Sequence, residues 1–390
     1  MTAQRALRQT PSLDMTARRL ALLPYAKARI QRPGPPPRRP PRVSVVIPCY
    51  NYGHYIPSCI ESVLTQPGVD ADILIIDDAS PDGSAAAVTA AAERDPRVRA
   101  ICHERNRGHI ATYNEGLGQV DGDYVVLLSA DDLLAPGSLR RATALMAANP
   151  AVGLVYGPAA DFSGAAPAPG GSARSATSWT IWPGLDWLED RCRTGRNALR
   201  SPEAIMRTSV LRAAGDYNAA LPHAGDFEMW MRAASIADVG YVAGATQAYY
   251  RVHEANMHNV VFGRDDPKGT VVDLEQRYEC FVSVFTGNAS LPQAGALLRR
   301  ARRTLAREAL TLAIRCYEWG TADSWPVAEL ASFAERMCPP AELRSLWRAL
   351  ALRRKVGAAR SRRYPLFLPS EQVYKSVDRL NEWRWRYAGL

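Results

Sequence analysis

Four short apolar runs divide the first half of the chain. They read VSVVI at residues 43–47, DILII at 72–76, VRAIC at 98–102 and YVVLL at 124–128. Stretches with apolar positions at helical spacing alternate with them, such as Tyr55–Leu64 and Gly137–Met146. Apolar runs with little polar alternation are typical of strands that are buried on both faces. The pattern therefore predicts an α/β fold in which a mostly parallel sheet is flanked by helices.

The pattern changes on both sides of this region. From about residue 270 onward, apolar positions recur at helical spacing among arginines, as in AGALLRRARRTLAREALTLAIRCYEW at 294–319. Residues 31–42 read QRPGPPPRRPPR, and since proline fixes φ and removes an amide donor, an extended linker is expected there. We therefore divide the chain into a basic, proline-rich segment and linker (1–42), an α/β domain (43–262) and a basic helical region (263–390).

One stretch inside the α/β domain favours a loop. Residues 164–178 are rich in Ala, Gly, Pro and Ser, which interrupt regular structure. Trp179, Trp182 and Trp187 follow it. These rings either pack in a core or line a sugar-binding cleft, and a core position is the prediction we favour.

Composition limits the class of protein. The 390 residues are 47% hydrophobic, which is ordinary for a globular chain, and no apolar run approaches the roughly 20 residues of a membrane-spanning helix. The N-terminus lacks the apolar stretch of a secretory signal, so a cytoplasmic protein is expected. Seven cysteines without a C-x-x-C pair indicate reduced thiols and neither a disulfide framework nor a zinc site.

Charge is segregated along the chain. The net charge of +9 is made up of +9 in residues 1–42, −8 in 43–263 and +8 in 264–390. A solvated surface explains basic flanks, and so does contact with an anionic membrane face or a polyanionic acceptor. Nucleic acid is not an expected partner, because no zinc-finger spacing, aromatic RNA-binding pattern or recognition helix accompanies the charge.

Two adjacent carboxylates come directly after the fourth apolar run. The stretch LLSADDLLAPGSL (127–139) places Asp131 and Asp132 where a buried strand is expected to end. Ligands bind beyond the carboxyl ends of strands in sheets of this kind. Carboxylates there can anchor a hard divalent cation, Mn²⁺ or Mg²⁺, and the alternative is that Asp132 caps a following helix.

Five segments in a fixed order carry a resemblance to a known family. They are VSVVIPCYNYGHYIPSCIESVLTQ, ILIIDDASPDGS, NRGHIATYNEGLGQVDGDYVVLLSADD, DFEMWMRAA and YYRVHEANMH. The chain resembles family 2 glycosyltransferases over roughly residues 43–260. That resemblance implies the GT-A fold, which is Rossmann-like, and the binding of a nucleotide-diphospho-sugar with a divalent cation at its diphosphate.

The resemblance also implies roles for single residues. It implies that Asp226 deprotonates the acceptor hydroxyl and that transfer inverts the anomeric configuration. Asp132 and His253 match metal positions, and Asp131 matches a ribose or sugar contact. The remaining matches are the nucleotide contacts Pro48, Tyr50, Asp77 and Asp78, and the donor-sugar pocket Asn106, Gly108 and Asn114. UDP is the favoured nucleotide, since a carboxylate at Asp78 accepts a base N–H, although guanine offers donors too.

The chain departs from the family pattern at two positions. Ala130 stands where a further Asp is frequent, which affects the division of roles between Asp131 and Asp132. Tyr113 stands where a basic residue is frequent, which affects the donor preference. From the residues alone, Asp226 also suits a helix N-cap, Asp77 and Asp78 suit a turn, and His253 suits an ordinary strand end.

Two other functions fit the same fold class. A nucleotidyltransferase also binds a nucleotide over such a sheet, but it would show a glycine-rich phosphate loop where this chain has PCYNYGHY. A nucleotide-sugar-binding protein without catalysis is the other alternative. The favoured prediction is an inverting glycosyltransferase that acts on a hydroxyl of a saccharide or lipid-linked acceptor in bacterial surface polysaccharide or glycoconjugate synthesis. The helical region suits contact between copies of the chain.

Overall fold

A computed structural model describes most of the chain. It covers residues 28–167, 174–254, 256, 267–287 and 291–361, with single positions between 367 and 389. Residues 1–27 of the predicted N-terminal segment and 168–173 of the predicted loop lie outside the described residues.

Two sheets organise the α/β part. The larger has nine strands in the order β1-β9-β11-β7-β10-β5-β2-β3-β4, and the smaller has three in the order β6-β12-β8. The strands are β1 Arg29–Gln31, β2 Arg42–Cys49, β3 Asp70–Asp77, β4 Val98–Cys102, β5 Tyr124–Leu127, β6 Leu133–Leu134, β7 Val152–Tyr156, β8 Ala159–Phe162, β9 Ser178–Trp182, β10 Ile205–Arg207, β11 Asp238–Ala243 and β12 Ala248–Arg251.

Helices cover the sheet and form the C-terminal region. In the domain they are α1 Ile56–Leu64, α2 Ser84–Arg94, α3 His109–Leu117, α4 Ser138–Ala148, α5 Gly184–Thr194, α6 Thr208–Ala214 and α7 Gly225–Ile236. The C-terminal ones are α8 Pro267–Gly287, α9 Ala294–Trp319, α10 Val327–Met337, α11 Arg344–Val356 and α12 Ala358–Ser361. Two 3-10 turns lie at Ser201–Glu203 and Pro340–Leu343.

The predicted α/β class is confirmed, and the four apolar runs form β2 to β5. Strands β4, β3, β2 and β5 are neighbours and pair in parallel, as expected for strands buried on both faces. The other half of the sheet is mixed, because β10 pairs antiparallel with both β5 and β7, and β9 pairs antiparallel with β11 and β1. The carboxyl ends of β2, β3 and β5 lie side by side at one edge.

The N-terminal linker is part of the sheet at one point. Arg29–Gln31 pairs with Trp179–Ile181 of β9, so the chain is held at the sheet edge before the prolines. The indoles of Trp179, Trp182 and Trp187 are all buried, which confirms the core position that we favoured for them.

The C-terminal helices pack on the α/β domain. The rings of Phe227 on α7 and Phe281 on α8 are edge-to-face with centroids 5.4 Å apart, and one continuous apolar cluster includes side chains from α5, α7, α8, α9 and α10. The helical region predicted beyond residue 270 is therefore confirmed. None of the helices within the described residues combines the length and hydropathy needed to cross a membrane.

Candidate active site

A cleft of about 1100 Å³ opens at the carboxyl ends of β2, β3 and β5. Its wall is built from separate stretches of the sequence, including the ends of these strands, the N-terminal halves of α3 and α7, and parts of α8 and α9. Eight of the residues predicted for the site line it: Pro48, Tyr50, Asp78, Asn106, Gly108, Asp131, Asp132 and Asp226. Asp77, Asn114 and His253 are not among the residues that line it.

The end of β2 offers an aromatic face. Pro48 lies within the strand, and Tyr50 follows it with 47% of its surface exposed. Asp77 is at the end of the neighbouring strand, but its carboxylate is engaged by Ser80, whose hydroxyl and amide donate to it at 2.5 and 3.1 Å. Asp77 thus caps the turn that follows β3, the alternative that the sequence also allowed.

Asp78 is held as a carboxylate by a surrounding loop. It accepts hydrogen bonds from His103 Nδ1 at 2.7 Å, the Arg107 amide at 2.8 Å and the Gly108 amide at 2.9 Å. Burial alone would raise the pKa of Asp78, but these donors outweigh it and the pKa lies below its usual value. Asn106 donates to the Asp78 carbonyl at 3.1 Å, so the loop 103–108 is wrapped around this residue.

His103 is a residue of this site that sequence reasoning missed. Its side chain is 1% exposed, and its other ring nitrogen, Nε2, lies 2.9 Å from Glu115 Oε2. Each ring nitrogen thus contacts one carboxylate, which fixes the orientation of the imidazole. Arg107 Nη1 contacts the same Glu115 oxygen at 2.9 Å. His103, Glu115 and Arg107 therefore fix the position of Asp78 together, and no motif in the sequence indicates that arrangement.

Asn114 has a bracing role. Its amide oxygen accepts from the Tyr217 amide at 2.8 Å, and its amide nitrogen donates to the Tyr217 carbonyl at 3.0 Å. Tyr217 in turn lines the cleft and packs edge-to-face on Tyr113, with ring centroids 5.7 Å apart. Asn114 thus holds the backbone of Tyr217, whose side chain forms part of the cleft wall.

The two adjacent carboxylates are buried after β5, at 6% exposure for Asp131 and 2% for Asp132. The strand β6 follows them, and α4 begins only at Ser138 with Gly137 as its N-cap. The helix-capping alternative for Asp132 is therefore wrong. Instead, Asp132 Oδ1 accepts from the Arg251 amide at 2.9 Å across the β6–β12 pairing.

His253 joins this pair from the end of β12. Its Nε2 lies 3.0 Å from Asp131 Oδ2, and Arg251 Nε donates to the Asp131 carbonyl at 2.9 Å. Burial, followed by the negative charge of Asp131, raises the pKa of Asp132 well above its usual value. The positive charges of Arg200 and Arg251 act on this pKa in the opposite direction but do not outweigh burial.

The chemistry of these donors fits a divalent cation. Carboxylate oxygens are the preferred ligands of Mg²⁺, and Mn²⁺ accepts carboxylate oxygen together with imidazole nitrogen. Asp131, Asp132 and His253 supply these groups from two adjacent strand ends. Within the described ranges, no three His, Cys, Asp or Glu side chains already form a closed metal site.

Asp226 is the second residue of α7 and faces the cleft. Its Oδ1 accepts from the Phe227 amide at 2.7 Å, and its Oδ2 accepts from Asn197 Nδ2 at 3.2 Å. The N-cap position of the helix belongs to Ala224, so Asp226 is not the N-cap residue. Burial raises the pKa of Asp226 to about 6, against the smaller opposing effect of these two donors.

Tyr113 also lines the cleft. Burial raises its phenol pKa far above the usual value, and the negative charges of Asp226, Asp131 and Asp132 act in the same direction. The phenol is therefore a neutral hydrogen-bond donor or acceptor. It lies within electrostatic reach of all three carboxylates, at the position where the resembled family frequently has a basic residue.

Comparison with known proteins shows similarity to one family over part of the chain. The family model "Glycosyl transferase family 2" matches residues 44–210. The succinoglycan biosynthesis protein ExoO of Rhizobium meliloti is 42% identical over 101 residues, which are 26% of this chain and 28% of that protein. The glycosyltransferase GlyG of Streptococcus pneumoniae is 36% identical over 93 residues, which are 24% of this chain and 31% of that protein. The chain thus spans less than a third of the length of these two relatives.

Two solved structures are similar to the chain. S. aureus TarS 1-349 in complex with UDP-GlcNAc has a TM-score of 0.48 at 15% identity, covering 75% of this chain and 90% of that one. The mannosyltransferase PcManGT from Pyrobaculum calidifontis, in complex with GDP-Man and Mn²⁺, has a TM-score of 0.48 at 19% identity, covering 86% and 94%. The family match and the strand order agree with the GT-A architecture that the resemblance implies. The chain is therefore similar to glycosyl transferase family 2 over residues 44–210.

Proposed function

We propose that the protein transfers a sugar from a nucleotide-diphospho-sugar to a hydroxyl of a saccharide or lipid-linked acceptor, with inversion. The proposal rests mainly on one observation, namely that residues distant in sequence with the side chains this reaction needs line a single cleft. The strand ends with Tyr50 and Asp78 form one part of the wall, Asp131 and Asp132 a second, and Asp226 a third.

The first part of the wall suits the nucleotide. The exposed ring of Tyr50 offers a face on which a base stacks, and the Asp78 carboxylate, ionised and held by its loop, accepts a base N–H. UDP is the favoured nucleotide, since uracil presents N3–H to such an acceptor. Asn106 and Gly108 lie next to Asp78 at the donor-sugar side.

The second part suits the diphosphate. Asp132 and His253 would hold a divalent cation, Mn²⁺ or Mg²⁺, and Asp131 would contact the ribose or the sugar. A cation bound there would neutralise the charge that develops on the departing diphosphate. Tyr113, placed among these carboxylates, offers a neutral hydroxyl to the donor.

The third part suits proton abstraction. A general base works best with a pKa near the working pH, and the pKa of Asp226 is raised to about 6, so the group is ionised at neutral pH and still basic. A single base, with charge neutralised at the leaving group, is sufficient for direct displacement at the anomeric carbon. Such a displacement inverts its configuration.

The place of this reaction in the cell is part of the proposal. We assign it to polysaccharide or glycoconjugate synthesis at the cytoplasmic side of a membrane, where acceptors are presented on lipids. Helix α11 supports peripheral contact with an anionic surface, because Arg344, Arg348, Arg354 and Lys355 are exposed on it. Each cation near such a surface contributes on the order of 1 kcal/mol, so several together give reversible, salt-sensitive attachment.

The test is a thermal-shift screen of UDP-, dTDP- and GDP-sugars with Mn²⁺, followed by assay of nucleoside diphosphate release. A ligand at 100 times its Kd stabilises the native state by about 2.7 kcal/mol, so binding is easily seen. We expect stabilisation by a UDP-sugar and release of UDP. Binding without release would favour a non-catalytic protein, and pyrophosphate formation from a nucleoside triphosphate and a sugar phosphate would favour a nucleotidyltransferase.

A further inference from the structure

The loop that begins at Gly195, directly after α5, connects the proposed base to the C-terminal helical region. Asn197 donates to Asp226, and the residues on either side of Asn197 contact side chains from beyond residue 260. The carbonyl of Gly195 accepts from Arg277 Nη1 at 2.7 Å, and Arg196 Nη2 lies 3.5 Å from Glu308 Oε1. The loop therefore contacts α8 and α9 through a hydrogen bond and an ion pair, and it contacts the proposed base Asp226 through Asn197.

Arg277 makes this connection rigid. It is 7% exposed and donates to Asp273 at 2.8 Å and to Glu308 at 3.0 Å, in addition to Gly195. Gly195 adopts a φ of +71° that favours glycine, which turns the chain out of α5 and towards this cluster. A buried arginine with three partners fixes the loop in one position relative to the helices.

Trp385 reaches the same loop from the C-terminal end of the chain. Its Nε1 donates to the Ala198 carbonyl at 2.9 Å, one residue after the Asn197 that contacts Asp226. The ring is half-buried and lines the cleft, so its orientation is fixed by one edge while part of its surface is open. An aromatic ring held in this way offers a pre-oriented apolar face.

We propose that the part of the cleft beyond Asp226 is a saccharide subsite, completed by the C-terminal helical region, with the indole of Trp385 as its aromatic face. The inference rests on the proposed transfer reaction, and it assigns the acceptor end of the site to residues outside the family-matching segment 44–210. The base at Asp226 then lies between this subsite and the donor.

The composition of the wall selects the class of ligand. Carboxylates at Asp273 and Glu308, a guanidinium at Arg196 and an amide at Asn197 line it, and such groups pair with sugar hydroxyls. The apolar C–H face of a pyranose ring packs on an indole. A lipid chain does not suit these charged side chains, and the two carboxylates disfavour a phosphate.

The experiment uses the full chain labelled with 5-fluorotryptophan and observed by ¹⁹F NMR in the presence of UDP and Mg²⁺. Methyl glycosides of glucose, galactose, mannose and N-acetylglucosamine, in both anomers, are the probes. The Trp385 resonance is assigned from its loss in Trp385→Phe. Trp319 is the internal control, because it is 39% exposed on α9 and does not line the cleft.

We expect at least one glycoside to shift the Trp385 resonance in a saturable way and to leave the Trp319 resonance unchanged. Both Trp385 variants lack this resonance, so their affinity for the same glycoside is measured by titration calorimetry. Trp385→Ala should weaken that binding by about tenfold, as expected for loss of an aromatic anchor, whereas Trp385→Phe should keep most of it. Both variants should bind UDP like the parent chain. If UDP binds and no glycoside shifts Trp385, or if Trp319 shifts equally, the subsite is wrong. If UDP itself does not bind, the proposed function fails instead.

Discussion

Replacing Asp226 by Asn tests the proposed base through stability and activity together. The side chain is half-buried at the N-terminal end of α7 and accepts hydrogen bonds from the Phe227 amide and Asn197. Asparagine has nearly the same shape, and its amide oxygen can accept from the same two donors. The substitution therefore removes the charge and the basicity while it keeps the local packing.

The expected change in stability follows from the pKa of Asp226, which is raised from 3.8 to about 6. A carboxyl with a raised pKa in the folded state contributes no penalty below pH 3.8, where both states are protonated. As the pH rises from 3.8 to 6, the unfolded state loses its proton first, and the folded state is destabilised by up to about 3 kcal/mol at 1.36 kcal/mol per pH unit. The carboxylate faces an open cleft, so water screens part of this and we expect about 1–2 kcal/mol.

The assay is urea unfolding of Asp226→Asn and the parent chain between pH 4.5 and 8. We expect the variant to be more stable by about 1–2 kcal/mol at pH 7.5, with the difference shrinking towards pH 4.5. Its transfer rate at saturating donor should fall by about 10²-fold or more, the scale of a lost general base, with donor affinity retained. Asp216→Asn is the matched control, since Asp216 is exposed on the loop before α7.

Two outcomes would contradict the expected effects of Asp226→Asn. A variant that is less stable at pH 7.5 than the parent chain would mean that the charge of Asp226 is favourable in the fold. A variant that transfers sugar at the parent rate would remove Asp226 from the role of base, whatever its stability.

Four further predictions follow from the same structure. Asp132→Asn should weaken Mn²⁺-dependent UDP binding by at least about tenfold in titration calorimetry, and unchanged affinity would contradict the metal assignment. The transfer rate of the parent chain should fall about tenfold per pH unit below about pH 6, as Asp226 is protonated, and a flat profile down to pH 5 would oppose it. Gly184→Ala should lower the free energy of unfolding by about 1–3 kcal/mol, because a Cβ there would lie 2.0 Å from the Ala234 carbonyl oxygen. Gly287→Ala is the control and should have little effect, since there is open space around Gly287. Equal free energies of unfolding for the two variants would be inconsistent with this packing. Replacing the four exposed cations of α11 by glutamate should abolish flotation with anionic liposomes at low salt, and flotation at the parent level would rule out this face.

The strands of the parallel half were predictable because their sequences are continuously apolar. β2 to β5 coincide with the four runs, and α1 and α4 with two of the helical stretches. The short strands Arg29–Gln31 and Ile205–Arg207 were not, because three residues carry no periodic signal and their pairing depends on distant partners. The other half of the sheet is mixed because β10 lies antiparallel between β5 and β7 and because β9 pairs antiparallel with β11 and β1.

The site was predictable where a side chain lies at the end of a strand or the start of a helix, and unpredictable where it acts through long-range contacts. Asp131, Asp132 and Asp226 reach the cleft as expected. His103 was missed, since its partners Asp78 and Glu115 come from other elements and only the fold brings them together.

The helix-capping alternative for Asp132 could not be dismissed from sequence. LAPGSLRRA has the composition of a helix start, yet the pairing of Leu133–Leu134 with β12 delays the helix to Ser138. A two-residue strand in a small second sheet gives no signal in the hydrophobic pattern, and it is this strand that places Arg251 and His253 beside the carboxylates.

Direct displacement at the anomeric carbon, with Asp226 as base, can be examined through the stereochemistry of donor hydrolysis. Water replaces the acceptor, so no acceptor has to be known. The donor is the α-linked UDP-sugar that stabilises the protein best with Mg²⁺, and ¹H NMR at high protein concentration follows the first sugar released, before mutarotation. We expect the β anomer to appear first and Asp226→Asn to abolish its formation. Initial release of the α anomer would contradict it.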